Sequence, residues 1–173
     1  MNNLLLTQAQ IEEITKLQRE LDINVRENND IPMDKDLNLE KYIALKTEFF
    51  EFVNEIESFK FWKKNKGKSS ILEEACDTLH FIFSLAIDNN VKIELSEEVV
   101  GNIEPEKFEL NDLIGIMDAN ILDIFITRDW GDLFIVLTLL LIMLNKCGFT
   151  ADDLYNEYIR KNQINHDRQA NNY

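Results

Sequence analysis

Two short acidic pairs stand out for the chemistry they could do. Glu48-Phe49-Phe50-Glu51 lies within the stretch Ala44 to Glu55, and Glu74-Ala75-Cys76-Asp77 lies within Ile71 to Phe81. In each pair the acids are three positions apart, which puts both on one face of a helix. Two such helices packed side by side would gather the carboxylates of Glu48, Glu51, Glu74 and Asp77. Like charges at that density stay ionised only when a cation offsets them. An oxygen-only site of this kind suits Mg²⁺, which binds through a few carboxylates together with substrate phosphates.

A single acidic pair on a helix is most often a solvated face, so the surrounding pattern matters. At about 100° per residue, Glu74, Phe81 and Leu85 fall on one narrow stripe with Asp77 beside it. A charge in line with Phe and Leu faces the interior or a cleft, where it needs a metal, a proton or a base. In the first stretch, Glu48, Glu51 and Glu55 border an apolar arc of Leu45, Phe49, Phe52 and Ile56.

No other chemistry competes. The chain has two histidines, His80 and His166, and neither has zinc-ligand spacing. There is no glycine-rich phosphate loop and no nucleophile elbow. A phosphate site would have to come from metal and from basic residues, which are available in Lys60-Phe61-Trp62-Lys63-Lys64 and in Arg160, Lys161 and Arg168. Each of these basic clusters taken alone is more readily a solvated surface. The net charge of −14, from 32 acidic and 18 basic residues, argues against binding nucleic acid or an anionic membrane. It also means that substrate phosphates would need cations to screen them.

The elements that must position these residues are all helical. Thr7 to Gln10 fits a capping box, followed by Ile11, Ile14, Leu17, Leu21 and Val25 at helical spacing. Asn28 to Pro32 breaks this helix. A second helix is predicted from Leu39 to Ser58, then a basic loop of five lysines from Lys60 to Lys68. Ser70-Ile71-Leu72-Glu73 reads as another capping box opening a third helix that ends near Asn89-Asn90. Residues 94 to 110 are acidic and irregular. A further helix is predicted from Asn111-Asp112 to Ile126, and after Asp129-Trp130-Gly131 an apolar helix from Leu133 to Lys146. Gly148 fits a C-cap and Thr150 the next N-cap, with Asp152 and Asp153 in the first turn. The last helix carries Tyr155, Tyr158, Lys161 and Asn165. No strand alternation, repeat or linker is present. The expectation is an all-α protein: residues 1–173 as a single-domain helical bundle around a four-helix metal-binding core.

The run Leu133 to Leu144 falls short of the about 20 apolar residues that a membrane span needs, so it reads as a core or interface helix. It offers more apolar surface than one small bundle requires, which predicts a homodimer. Cys76 and Cys147 sit in apolar stretches and read as buried free thiols. The N-terminus has no basic segment and no signal-like apolar run, and the expected location is cytoplasmic.

These residues resemble a known family, the dimeric all-α dUTPases of bacteriophages and some bacteria, within the wider all-α nucleotide pyrophosphatases. The two acidic pairs stand where that family has its E-x-x-E and E-x-x-D metal motifs. Phe59-Lys60-Phe61-Trp62-Lys63 is similar to its F-K-x-W-K segment, and Leu17 to Asp22 looks like its base-reading helix. Tyr158 to Gln169 is similar to its terminal K-N-x-x-N-x-x-R-Q motif. The resemblance covers most of the chain. It implies hydrolysis of dUTP to dUMP and pyrophosphate with two or more Mg²⁺ ions on Glu48, Glu51, Glu74 and Asp77, and Glu51 as the base for water. It implies substrate contacts from Gln18, Asp22, Asn54, Lys60, Trp62, Lys63, His80, Lys161, Asn162, Asn165 and Arg168. Trp62 reads equally as a substrate contact or a core residue. Two other readings remain open at this point. One is the same chemistry on another triphosphate such as dCTP. The other is a phage protein that binds a repressor, with the acidic stretch from Glu94 to Glu109 as the contact surface.

Overall fold

The computed structural model describes residues 4–64 and 70–170, with the backbone alone for 166–170. Helix α1 (Gln8–Asn28) opens with the expected box: the Thr7 side chain accepts from the Gln10 N–H at 3.3 Å and the Gln10 side chain accepts from the Thr7 N–H at 2.8 Å. Its Ile11, Ile14 and Leu21 are buried, as the spacing requires. Helix α2 (Asn38–Ile56) buries Leu45, Phe49, Phe52, Val53 and Ile56. It stops two residues earlier than predicted because Glu57 turns left-handed, with φ 58°.

Helix α3 (Ile71–Asp88) starts where expected, but the box at Ser70 does not form. Ser70 has φ −92° and ψ 2°, away from the extended conformation that aims an N-cap side chain at the first turn. The stretch from 94 to 110 is more ordered than its sequence suggests. Ser96 caps a short helix α4 (Glu97–Ile103), its side chain accepting from the Val99 N–H. Glu104 then turns left-handed and a 3-10 turn follows over Pro105–Lys107. Helix α5 spans Leu110–Thr127, and a second 3-10 turn, Trp130–Asp132, leads into α6 (Leu133–Lys146). Thr150 and Asp153 cap the last helix, α7 (Ala151–Ala170), by hydrogen bonds of 2.8 and 3.1 Å.

Helix α3 is the hub of the packing and touches α1, α2, α6 and α7. Helix α1 also lies on α7, α5 on α6, and α2 on α5. The apolar run of α6 corrects one expectation. Leu133, Val136, Leu137 and Leu139 to Leu144 are all buried inside this chain, so α6 leaves little apolar surface for a second copy. Exposed apolar side chains lie elsewhere: Leu39, Ile43 and Phe50 on α2 and Leu122 and Ile126 on α5, besides Ile23, Met33, Phe59, Phe61 and Trp62. Both cysteines are free; Cys76 is buried, whereas Cys147 is only partly so. Among the described residues no single helix is long and apolar enough to cross a membrane.

Candidate active site

Helices α2 and α3 pack directly on each other, and this contact builds the acidic cluster. Glu48, Glu74 and Asp77 each place a carboxylate oxygen within 4.8 Å of the other two. All three are half-buried. Burial pushes the Glu48 carboxyl up to about 7, reinforced by the charges of Asp77, Glu51 and Glu74 and opposed by Lys161. Glu74 is raised for the same reasons, burial first and Asp77 next. The fourth expected ligand stands apart. Glu51 is exposed, outside the three-carboxylate group, yet near enough for its charge to act on both Glu48 and Glu74.

Lys161 reaches the cluster from α7. Its ammonium pairs with Asp77 and lies 3.4 Å from a Glu73 carboxylate oxygen. Burial alone would lower the Lys161 pKa, but the hydrogen bond and charge of Asp77, joined by Cys76 and Glu73, outweigh it and the net shift is upward. A single ammonium against this many carboxylates leaves the site strongly acidic. All the donors are hard carboxylate oxygens, so the residues fit a divalent cation such as Mg²⁺.

Beside the cluster lies a cleft of about 380 Å³ whose lining includes Glu48, Asp77, Gln18, Asp22, His80 and Asn165. The structure therefore brings candidates from α1, α3 and α7 around one space with two of the acids. Gln18 sits at the centre of a polar network. Its Oε1 lies 2.7 Å from His80 Nδ1 and 3.0 Å from the Tyr158 hydroxyl, and its Nε2 donates to Asp22 Oδ1 at 2.7 Å. Asp22 Oδ2 accepts in turn from Ser84 at 2.6 Å and from Lys41 at 3.2 Å. Lys41 also pairs with Asp88 at 2.6 Å, and Arg26 lies 3.5 Å from the same Asp88 oxygen. Burial, aided by the Lys161 charge, pushes His80 down to about 3, so its ring is neutral.

The remaining candidates lie off the cleft. Asn162 is buried, with its side chain close to the Tyr158 hydroxyl. Lys60 and Lys63 both donate to the buried carboxylate of Glu57, and Lys60 also bonds Asn54 Oδ1 at 3.0 Å. Trp62 is 66% exposed, which removes the core alternative for it. The side chain of Arg168, with Lys66, Gly67 and Lys68 of the basic loop, lies outside the described residues.

Sequence reasoning missed Lys41, Ser84 and Glu57, and placed Tyr158 only at the start of the terminal motif, without its bond to Gln18. Glu57 had a signal in its spacing, Glu57-x-x-Lys60-x-x-Lys63, but an acid at a helix end next to lysines usually reads as surface. Lys41 and Ser84 had none, because their roles come from α2 and α3 meeting α1.

The arrangement defines a class first: an all-α protein with an acidic cluster on two packed helices beside a polar cleft. A family model described as dUTPase matches residues 10–173, and the chain belongs to that all-α dUTPase family, whose reaction is hydrolysis of dUTP. No curated protein matches the sequence.

Proposed function

We propose that this protein hydrolyses dUTP to dUMP and pyrophosphate using Mg²⁺. The observation that carries the reading is the meeting of Glu48 with Glu74 and Asp77 at the edge of the cleft that Gln18 and His80 line. Glu48, Glu51, Glu74 and Asp77 would hold the cations. When bound, these would offset phosphate charge and acidify a water molecule. Glu51, exposed and uncommitted to the three-carboxylate group, would take the proton from that water. Lys161, with Arg168, would neutralise charge that builds on the phosphates. Gln18, His80, Asn162 and Asn165 would address the base, and the exposed Trp62 the sugar or base. Lys60 and Lys63, anchored on Glu57, would hold the Trp62 segment and lend positive charge near the phosphates.

The protein would work as a homodimer in the cytoplasm. The exposed apolar side chains of α2 and α5 support a dimer through that face, where Glu51 and Asn54 line a shallow hollow with Ile43 and Phe50.

The test is pyrophosphate release from each deoxy- and ribonucleoside triphosphate, with Mg²⁺ and with EDTA. Mg²⁺-dependent turnover of dUTP above the others is expected. Preference for another triphosphate would move the base specificity, and no turnover of any would overturn the enzymatic reading.

A further inference from the structure

The base-facing polar network has a definite hydrogen-bond direction, and one residue sets it. A carboxylate can only accept. Asp22 Oδ1 lies 2.7 Å from the Gln18 amide, so Gln18 must turn its Nε2 toward Asp22 and its Oε1 away. That oxygen then lies 2.7 Å from His80 Nδ1, which must carry the proton and donate. The Tyr158 hydroxyl donates to the same oxygen. The other imidazole nitrogen, His80 Nε2, is left as a bare acceptor, and it is buried with no partner among the described residues. The second N–H of the Gln18 amide is also left over: among the described residues the side-chain hydrogen bonds of Gln18 are those with Asp22, His80 and Tyr158.

We infer that Asp22 is a positioning residue that fixes the amide of Gln18 and, through it, the tautomer of His80, so that on the wall of the cleft both residues line the pair offers one N–H donor and one bare nitrogen acceptor, the latter closed to solvent until a ligand seats against it. Such a pair complements a ligand edge where an N–H sits beside a carbonyl oxygen, as in the imide of uracil. The inference deepens the dUTP reading and rests on it for the identity of the ligand; the tautomer itself does not depend on that reading. Asp22 is suited to the role because it is itself held. Ser84 and Lys41 occupy its second oxygen, and Lys41 is anchored by Asp88. An asparagine at this position would break the direction. Its amide could donate to Gln18 as well as accept, so Gln18 could flip and present its NH₂ to His80. The proton would then move from Nδ1 to Nε2.

The chain has two histidines, which makes the tautomer directly readable by ¹⁵N NMR of histidine-labelled protein, with the His80 signals assigned by their loss in His80→Gln. The wild type is expected to show His80 protonated at Nδ1 and bare at Nε2. Asp22→Asn is expected to shift the proton to Nε2 with helical circular dichroism unchanged. If Asp22→Asn does not fold, Gln18→Met gives the same readout, because Nδ1 then loses its acceptor. A wild-type ring protonated at Nε2, or a tautomer indifferent to both substitutions, overturns the inference. In a second arm, the ratio of kcat/KM for dUTP to that for dCTP should change by roughly ten-fold in Asp22→Asn, about the worth of one hydrogen bond. An unchanged ratio would remove Asp22 from base selection. Wild-type protein that turns over no nucleotide would defeat the functional reading while leaving the tautomer result to stand or fall by itself.

Discussion

Lys60 Nζ lies 2.9 Å from the carboxylate of Glu57, whose side chain is only 2% exposed. Lys63 reaches the other oxygen of the same carboxylate. An isolated buried carboxylate would be costly, and the two ammonium groups offset that cost. Glu57 also ends α2 in a left-handed turn, so this one residue both stops the helix and ties down the segment bearing Phe61 and Trp62.

The pH dependence of stability should carry the mark of this pairing. Hydrogen bonds from Lys63 and then Lys60 lower the Glu57 carboxyl from 4.5 to about 2. A depressed folded-state pKa gives stability that is complete above the unfolded value and is lost as pH falls toward the folded one. The melting temperature should therefore drop between pH 4.5 and pH 2, and Glu57→Gln should melt lower at neutral pH but with a shallower slope across that window. Thermal melts at stepped pH check this; parallel slopes for the two proteins would count against it.

Glu48 predicts the opposite trend at higher pH when no divalent cation is present. Its carboxyl rises from 4.5 to about 7, chiefly through burial. The folded state then holds a proton that the unfolded state has released, so stability falls as pH rises from 4.5 through 7. Mg²⁺ should reverse this loss, raising stability by about 2.7 kcal/mol when present at 100 times its dissociation constant. Melts in EDTA and in Mg²⁺ test both statements. Asp77→Asn should abolish the Mg²⁺ response.

Glu51→Gln should lower kcat by about 10²–10⁴-fold, the range for loss of a general base. Glu51 is exposed, so the melting temperature should stay within about a degree or two of wild type, as for surface changes generally. Near-normal turnover would remove Glu51 from the chemistry.

Ile43 is 54% exposed on the apolar face shared by α2 and α5. A charge placed there should be tolerated by the folded chain but not by a packed interface. Light scattering at micromolar concentration should give a dimer for the wild type and a monomer for Ile43→Glu. A monomeric wild type would refute the homodimer.

Much of the fold was legible because helices announce themselves by period and caps. The Thr7 box, the buried arc of Leu45, Phe49, Phe52 and Ile56, and the Thr150 cap all appear as the spacing implied. Ser70 failed because a cap motif specifies residue types and not the backbone angle that aims them. Helix α4 was missed because it buries no residue, so its seven residues show no apolar stripe. Within the candidate site, the acidic spacing on α2 and α3 was readable one helix at a time. The network joining Gln18 to Ser84 and Lys41 was not, since its members lie on three helices and their polar tips meet only after packing.

The central place of α3 has a consequence for how the site meets its ligands. Glu74, Asp77, His80 and Ser84 all ride on the helix that four others clasp. Backbone amides in so enclosed an element exchange with solvent mainly through global unfolding. These side chains are thus mounted on a frame that is set before any ligand arrives, and binding need not spend energy ordering it. The segment from Phe59 to Trp62 lies on the surface instead, with three exposed aromatics, and is held through Lys60 and Lys63 on Glu57. The molecule divides its labour between a stiff anvil that holds charge and an anchored surface segment that offers aromatic faces.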